Sequence, residues 1–490
     1  MSAKADILFA VVPPSDSWLP NLGIACLQSY LRERGFVPSF FDLNLMFVDT
    51  LPEPDRQVWV MRTDRYWRDA RQRERFFKIF CAAADGLADA ILAREARLIG
   101  FHVHSLNHKF AVELARRVKE KDCRRVIIFG GPGVTDPALC AAFPPCVDHC
   151  VVNEGEITIA EVCAAVRAGG DLSRISGIYT NLAGGGSAFR PRDFVRDIDA
   201  LPIPSFDDFP LNRYWGKRIP ILLSRGCVGR CAFCDVYSRW KGYRVRKAEH
   251  VFREIVTQVE KTGWNMLHFN DALVNANPVE LEKLCDMLIA SKMELKIEGL
   301  ARAKRDTARA LLDKMRAAGF WKLQWGIESA SPRIMRLMNK DQFGDIAIVK
   351  KNLSDCHAAG ILTAINIIVG FPGEAERDLD ETIRFVVENQ EIIDQVDALN
   401  TCEALPLTDL TLNPRTYGIC FPGGEESGQH WLGDDGNSYA VRLKRKTKVI
   451  EALAKTKLTF GFDLGPEIEK VKKRTVWQRV AGLFRGRSGR

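Results

Sequence analysis

The sequence predicts an α/β protein built from two parallel-sheet domains that follow one another along the chain. Two observations carry this prediction. Short apolar runs, such as 7–12 and 126–129, alternate with amphipathic helical segments, which is typical of a doubly wound parallel sheet. The alternation resumes at residue 219 and continues to about residue 400, which fits a full or partial (β/α) barrel. With 46% hydrophobic residues among 490, the chain has enough apolar material for both cores.

The first domain is predicted at residues 1–170. Its predicted strands are 7–12, 37–41, 98–103 and 126–129, its helices are 22–34 and 111–121, and 62–94 is a charged helical insertion. Ligands of such sheets bind beyond the carboxyl ends of the strands. Polar or turn-forming residues follow the strands there: Pro13-Pro14, Asp42-Leu43-Asn44, His104-Ser105 and Gly130-Gly131-Pro132-Gly133. We expect them to form a ligand rim.

Three further segments complete the predicted organisation. Residues 171–210 are a hairpin, with a glycine turn at 184–186, followed by a proline-rich linker. The barrel occupies 211–400, with strands at 219–224, 266–270, 295–300, 321–327 and 364–370 and helices at 251–261, 278–291, 307–318, 346–359 and 378–389. Residues 401–490 are predicted as a mainly helical extension that ends in a basic amphipathic tail.

Only three of the 14 cysteines form a tight cluster, Cys227, Cys231 and Cys234, directly after a predicted strand. Iron–sulfur cubanes are normally held by four thiolates, so three local ligands leave one iron open to a cofactor. Two alternatives are a structural zinc site, completed by His250 or a distant cysteine, and a closed electron-transfer cluster. Zinc sites favour paired C-x₂-C knuckles, and the sequence has no second pair.

The C-x₃-C-x₂-C spacing, with Phe233 before the last cysteine, resembles the signature of the radical S-adenosylmethionine (SAM) superfamily. The resemblance implies a [4Fe–4S] cluster whose fourth iron is chelated by SAM. Reductive cleavage of SAM then yields a 5′-deoxyadenosyl radical, with Phe233 near the adenine. It also implies an electron donor such as flavodoxin or ferredoxin.

Later segments resemble the same family in order. By that resemblance, Asn270 and Asp271 hold the methionyl amino group, and Arg302 contacts the carboxylate. Glu328 and Ser329 reach the ribose or the methionine, and Gly370 begins a G-x-P-G-E turn. Each of these residues lies at the carboxyl end of a predicted strand. The subgroup often has an acid where this chain has Asn270, so the amino-group contact is expected to rest mainly on Asp271.

A flavodoxin/Rossmann-like domain before such a barrel resembles the cobalamin-binding class of radical SAM enzymes. The resemblance implies cobalamin contacts from residues of the predicted rim: Pro14, Asn44, His104, Ser105, Gly130, Gly131 and Glu154. In the D-x-H-x-x-G motif of classical cobalamin domains, this chain has Asn44 for the histidine and Phe47 for the glycine. Cobalt would therefore lack that histidine ligand, as it commonly does in the radical class. The alternative is a domain that binds nothing or another flat ligand.

With both cofactors, the resemblance implies methylation of an unactivated carbon. Alternatives are radical SAM cyclisation, rearrangement or methylthiolation, and a non-catalytic iron–sulfur or zinc redox protein. Methylthiolation usually needs a second three-cysteine cluster, and the cysteines near residue 146 do not resemble one. A sensor would not need Glu328 or the turn at Gly370.

The composition bears on location and partners. No run approaches the roughly 18 apolar residues of a membrane span, so we expect a cytoplasmic protein. The net charge of +8 is modest for the length and does not imply DNA binding. The basic amphipathic segment 470–490 either contacts the inner membrane surface peripherally or docks on the barrel. A small molecule, a lipid or a peptide is the expected substrate.

Overall fold

The computed structural model describes residues 5–60, 70–181, 187–422 and 428–462. The chain divides into two compact units. The first unit runs to Ile221 and includes Arg253–Met266, and the second unit comprises Leu222–Phe252 and the chain from Leu267 onward. The predicted glycine turn at 184–186 and the basic tail at 470–490 lie outside the described residues.

The first unit contains a seven-stranded sheet with the strand order β2-β1-β3-β4-β5-β6-β7. Strands β1 to β5 are parallel, whereas β6 and β7 are antiparallel to their neighbours. The strands are β1 Ile7–Val11, β2 Pro38–Asp42, β3 Leu98–His102, β4 Val126–Gly130, β5 His149–Val151, β6 Ile178–Asn181 and β7 Ser187–Phe189. The order 2-1-3-4-5 of the parallel part is that of flavodoxin-like folds, which confirms the predicted class.

Seven α-helices of the first unit are described before residue 170. They are α1 Leu22–Arg32, α2 Leu43–Thr50, α3 Glu53–Val60, α4 Ala70–Leu92, α5 His108–Lys121, α6 Pro137–Ala141 and α7 Glu156–Ala168. Local sequence defines their starts: Asn21 caps α1 by accepting a hydrogen bond from Ile24 N, and Asp42 caps α2 in the same way. The predicted hairpin is present, and because β6 pairs with β5 it extends this sheet.

The predicted charged insertion contributes to the core of the first unit. Helix α4 buries Phe76 and Phe80 completely. The Phe76 ring lies 5.3 Å from Trp59, and the Phe80 ring lies 5.6 Å from Phe47, both edge-on. The charged residues of the segment occupy the opposite face of the helix. The high content of charged residues therefore gave no indication in the sequence that the other face is buried.

The second unit contributes six strands of another sheet, in the order β18-β15-β14-β13-β12-β11, and neighbouring strands from β12 to β18 pair in parallel. They follow β8 Arg218–Ile221 and a two-stranded ribbon of β9 Ser224–Gly226 and β10 Tyr243–Val245. The other strands are β11 Met266–Phe269, β12 Lys296–Ala301, β13 Phe320–Glu328, β14 Leu362–Val369, β15 Gln395–Thr401, β16 Ile419–Cys420, β17 Leu432–Gly433 and β18 Thr459–Phe460.

Helices alternate with these strands, as the sequence predicts. They are α8 Val236–Trp240, α9 Ala248–Thr262, α10 Pro278–Ser291, α11 Arg309–Ala317, α12 Pro332–Leu337, α13 Ile346–Ala358, α14 Glu376–Glu388, α15 Asp409–Leu412 and α16 Tyr439–Leu453. The extension after residue 401 packs around the fully buried Trp431. None of the helices described is both long and apolar enough to cross a membrane.

A buried tyrosine–aspartate pair generates a stability prediction. The Tyr214 hydroxyl donates to Asp42 Oδ2 at 2.6 Å, and burial raises the pKa of Asp42 to about 6. Tyr214→Phe removes a donor that favours the carboxylate, which raises the pKa of Asp42 further. Below the unfolded pKa the folded state keeps Asp42 protonated. As the pH rises through the folded pKa, Asp42 ionises while it stays buried. In the variant this carboxylate has lost the Tyr214 hydroxyl, so its charge destabilises the folded state more than in the wild type.

We therefore expect Tyr214→Phe to lower the free energy of unfolding by about 1–3 kcal/mol, with a larger loss at pH 8 than at pH 5. Chemical denaturation at the two pH values measures this difference. The matched control is Tyr417→Phe, which removes an exposed tyrosine–aspartate bond to Asp409. Equal losses for the two variants would contradict the prediction.

Candidate functional site

The cysteine loop begins where the ribbon ends. Gly226, the last residue of β9, has φ of +88°, and a Cβ atom there would overlap the carbonyl oxygen of Gly242. Cys227 N donates to that same carbonyl at 3.3 Å. Only glycine permits this backbone approach, so the ribbon directs the chain into the loop that carries Cys227, Cys231 and Cys234.

The far side of the loop is held by backbone contacts. Ala232 N donates to Met338 O at 3.0 Å, and Leu410 N donates to Ala232 O at 3.3 Å. The side-chain amide of Asn339 donates to Arg230 O at 2.8 Å. Beside these contacts, Phe233 packs against an apolar cluster that includes Phe371 and Trp431. The predicted adenine neighbour is thus a half-buried ring at the edge of this cluster.

Hydrogen-bond donors and cations surround the three half-buried cysteines. Gly229 N lies 3.3 Å from Cys227 Sγ, and Arg302 Nη1 lies 3.4 Å from Cys231 Sγ. Burial raises the pKa of the Cys227 thiol, while the Gly229 N–H, Arg302 and Lys340 act in the opposite direction. Burial also raises the pKa of Cys234 to about 12. Sulfur ligands in this environment gain from binding a metal cluster, which replaces the proton.

Arg302 is 3% exposed, and its position is fixed by a neighbouring asparagine. Asn275 donates from Nδ2 to Arg302 O at 2.8 Å and accepts from Arg302 N at 3.1 Å. The guanidinium also donates to Lys340 O. A Cβ atom on Gly229 would overlap Arg302 Nη1, so the glycine between the first two cysteines makes room for this cation.

A bulge redirects Glu328 at the end of β13. The register with β14 shifts between Gly326 and Glu328, and Glu328 has φ of +59°. Its carboxylate is 3.3 Å from Lys340 Nζ, and both side chains are buried. A Cβ on Gly326 would lie 2.6 Å from Glu328 Oε1. Lys340 thus connects Glu328 to Arg302, which contacts Cys231, so these side chains lie in one neighbourhood.

Asp271 and Asn270, two predicted SAM contacts, differ in their burial. Asp271 is buried and accepts hydrogen bonds from Leu223 N at 2.9 Å and Ser224 Oγ at 2.5 Å. Burial raises its pKa to about 6. Its carboxylate therefore anchors the start of the ribbon that carries the cysteine loop. Asn270, in contrast, is exposed at the end of β11.

Ser329 and Gly370 are integrated into the scaffold. The Ser329 hydroxyl lies 3.2 Å from Thr382 Oγ1 and accepts from Ser331 N. Gly370 has φ of +75°, and a Cβ there would overlap the side chain of Arg442. Its N–H donates to Glu374 Oε2 at 2.6 Å, so the glutamate closes the turn that the sequence singled out.

In the first unit, the rim lies at the carboxyl ends of β1 and β3, where the strand order reverses. Asn107, which the sequence analysis missed, ties these ends together. Its side-chain amide donates to Val12 O at 3.1 Å and His102 O at 3.0 Å, and its oxygen accepts from His104 N at 2.8 Å. A buried asparagine at the start of α5 resembles an ordinary helix cap, so only the fold reveals this role.

The predicted cobalamin contacts differ in accessibility. Ser105 is exposed, and Gly130 and Gly131 are half-buried. Gly131 has φ of +106°, and a Cβ there would lie 2.9 Å from His102 Cδ2 and from Val103 O. Burial lowers the pKa of His104 to about 4, so the half-buried imidazole is neutral at pH 7.

Three other predicted contacts serve the scaffold. Asn44 is fully buried and binds Ser15 N, Ser17 Oγ and the Trp59 indole N–H. Glu154 accepts from Val195 N at 2.7 Å, and Pro14 is buried. The accessible part of the rim is therefore the segment at Ser105 and the glycine turn after β4.

These surroundings fit the implied cofactors to different degrees. Three cysteines beside Arg302 and Lys340 suit an anionic iron–sulfur cluster with one iron left open. In the first unit, Ser105 and the Gly130–Gly131 turn offer an accessible surface with close backbone approach, which suits a flat ligand. Within the described ranges, no group of three or more His, Cys, Asp and Glu side chains is placed to hold a single metal ion.

The comparison with known families concerns residues 221–386. The model of the radical SAM superfamily matches residues 221–386. An uncharacterized methyltransferase from Pyrococcus horikoshii is 30% identical over 288 residues, which cover 56% of this chain and 60% of that protein. The anaerobic magnesium-protoporphyrin IX monomethyl ester cyclase of Synechocystis is 25% identical over 55% of this chain and 54% of its own. The chain thus spans little more than half the length of these relatives.

Two solved structures share the fold over most of the chain. The cobalamin-dependent SAM radical enzyme OxsB, with aqua-cobalamin and SAM bound, matches with a TM-score of 0.69 and 15% identity, covering 96% of this chain and 70% of its own. The radical SAM methyltransferase TsrM from Kitasatospora setae matches with a TM-score of 0.64 and 16% identity, covering 89% and 84%. The likeness establishes the architecture that the sequence predicts.

The anchoring role of Asp271 generates a prediction about cluster loading. Asp271→Ala leaves Ser224 and the Leu223 N–H without their acceptor, so the ribbon should loosen. We expect less than half of the roughly four irons per chain after anaerobic reconstitution, together with a lower melting temperature. Asp286→Ala removes an exposed carboxylate of α10 and is the control. Full iron loading of Asp271→Ala would show that the ribbon does not depend on this carboxylate.

Proposed function

Residues 221–386 form a radical SAM domain, and from this premise we propose that the protein is a cobalamin-dependent radical SAM enzyme that methylates an unactivated carbon. The observation that carries the proposal is the environment of the three-cysteine loop, where Arg302 Nη1 lies 3.4 Å from Cys231 Sγ. When bound, the cluster and SAM would supply a 5′-deoxyadenosyl radical, and cobalamin would supply the methyl group.

The residues of the second unit have separate tasks in this proposal. Cys227, Cys231 and Cys234 would each bind one iron of the cluster, which would leave the fourth iron to SAM. Arg302 and Lys340 place positive charge beside the thiolates and would balance the carboxylate of SAM. Glu328 supplies an acceptor for hydroxyl or amino groups of the same ligand. Because Arg302 and Glu328 are buried, these contacts form where water competes little.

The first unit supports cobalamin through its architecture and its accessible rim. Its sheet has the order of flavodoxin-like folds, and the two structural neighbours are cobalamin-dependent or bind cobalamin. Ser105, Gly130 and Gly131 would contact the ligand, with the neutral His104 beside them. Asn44, Asn107 and Glu154 would act indirectly, because their polar groups already hold the loops of the rim.

The methyltransferase relative favours methyl transfer, while the cyclase relatives favour a second candidate, radical ring formation on the same scaffold. Incorporation of a methyl group from SAM separates the two. We also propose an external electron donor, such as flavodoxin or ferredoxin, and peripheral membrane contact through the basic segment 470–490.

Reconstitution tests the cofactor content. We expect the wild type, reconstituted anaerobically with iron, sulfide and hydroxocobalamin and then desalted, to retain about four irons and one cobalt. Cys231→Ala should lose the intact cluster and all reductive cleavage of SAM while it keeps its cobalt. Cys420→Ala, which changes an exposed cysteine outside the loop, should behave as the wild type. SAM cleavage by Cys231→Ala would overturn the radical assignment.

A steric block tests the rim. Ser105 is exposed, so Ser105→Trp should fold and should cover the surface beside the glycine turn. We expect loss of most of the cobalt with full retention of iron. Glu120→Trp is the control, because it is exposed near the end of α5, at the opposite edge of the sheet. Retention of cobalt by Ser105→Trp would place cobalamin elsewhere or exclude it.

A further inference from the structure

One face of the sheet in the second unit carries polar side chains on five successive strands. Six half-buried or buried polar residues share this face: His268 on β11, Glu298 on β12, Lys322 and Gln324 on β13, Asn366 on β14, and Asp397 on β15. The other face of the same strands is apolar; on β13 it presents Leu323 and Trp325, both about 1% exposed. The polar residues are therefore a feature of one face and not of the whole sheet.

The polar face is the one that leads to the cysteine loop. Gly326 follows Gln324 by two residues, so both point to the same side of β13. A Cβ on Gly326 would lie 2.6 Å from Glu328 Oε1 and 3.3 Å from Lys340 Nζ. The carbonyl of Lys340 accepts from Arg302, which contacts Cys231. The face thus extends, without a change of side, to the cations beside the cysteines.

The layer nearest the amino ends of the strands is made of a histidine–carboxylate hydrogen bond and an ion pair. His268 Nδ1 lies 2.8 Å from Glu298 Oε1, and Lys322 Nζ lies 2.7 Å from Asp397 Oδ2. Glu298 is the register partner of Lys322, which brings the two pairs side by side. The carboxylate side chains of Glu298 and Asp397 are only 10% exposed, and each is held by its partner within the layer.

The next layer lies two residues, about 7 Å, closer to the carboxyl ends. Gln324 Nε2 donates to Asn366 Oδ1 at 2.8 Å. This bond leaves the oxygen of Gln324 as an acceptor and the amide of Asn366 as a donor, and the described part of the chain provides no other partner for either. Gly326 and Ala398, the register partners of Asn366, are small and leave room beside the pair.

We propose that this face is the substrate site and that the Gln324–Asn366 pair binds a water-soluble substrate through a hydroxyl or amide group. A group that both donates and accepts would satisfy the two amides at once. An apolar lipid chain would instead remove water from the amides and from the charged layer beside them without replacing their hydrogen bonds, which is unfavourable. The proposal rests on the proposed function and specifies its substrate class.

The first experiment uses the wild-type holoenzyme. Its probes are two extracts of the source cells, the low-molecular-mass aqueous metabolites and the chloroform-soluble lipids, each incubated with dithionite and SAM that carries a trideuterated methyl group. Mass spectrometry then locates the label. We expect labelled products among the aqueous metabolites. Label confined to the lipid extract would overturn the substrate class and leave methyl transfer intact. Absence of label from both, with SAM still cleaved, would overturn methyl transfer and this inference together.

The second experiment assigns the amide pair. In Gln324→Leu and Asn366→Leu, the amount of label transferred per SAM cleaved should fall by about tenfold or more, since each variant loses a buried hydrogen bond to the substrate. Asn366→Asp keeps the acceptor for Gln324 but loses the donor to the substrate, so its ratio should fall as well. Lys296→Leu is the control, because Lys296 is exposed at the start of β12. An unchanged ratio in leucine variants that load iron as the wild type does would remove the pair from the site.

Discussion

The structure of the second unit depends on the burial of Arg302. A guanidinium withdrawn from water is unfavourable unless its donors are bound and its charge is balanced. Here Cys231 Sγ and the carbonyl of Lys340 accept its hydrogen bonds. Its position in turn requires glycine at 229, because any side chain there would collide with it. One cation thus links the cysteine loop, the end of β12 and the segment that carries Lys340, and it gives this region the positive charge that an anionic cluster requires.

In each unit, a buried asparagine binds backbone groups of the loops that follow the strands. Asn275 binds both backbone polar groups of Arg302, and Asn107 binds the carbonyls that follow β1 and end β3. Parallel strands bring distant residues to one edge, but the loops that follow have no ladder to satisfy their polar groups. A side-chain amide, which offers a donor and an acceptor, replaces the missing backbone partner and fixes the loop. The accessible groups at each edge are then held ready for a ligand.

Much of this could be predicted from the sequence, and the exceptions have physical reasons. Strand–helix alternation predicted the two sheets, because the hydrophobic period and the length of each element are local properties of the sequence. The cysteine spacing predicted the loop, because the three cysteines are close in sequence. Asp271 and Asn44 follow strands as ligand contacts would, but their partners, Ser224 and Trp59, are contributed by other elements. Lys340 and Asn107 carried no local signal, since their roles arise only from tertiary contacts. The polar face also escaped notice, because its pairs join neighbouring strands far apart in sequence.

The close approach of Gly226 to Gly242 has a thermodynamic consequence. The ribbon and the contacts of Ala232 order the cysteine loop through protein atoms alone. The conformational entropy of the loop is therefore lost when the chain folds and not when a cluster binds. Affinity for iron and sulfide is correspondingly greater than a flexible segment with the same three cysteines could achieve. Through the backbone alone, the two glycines would thus contribute to how firmly the cluster is retained.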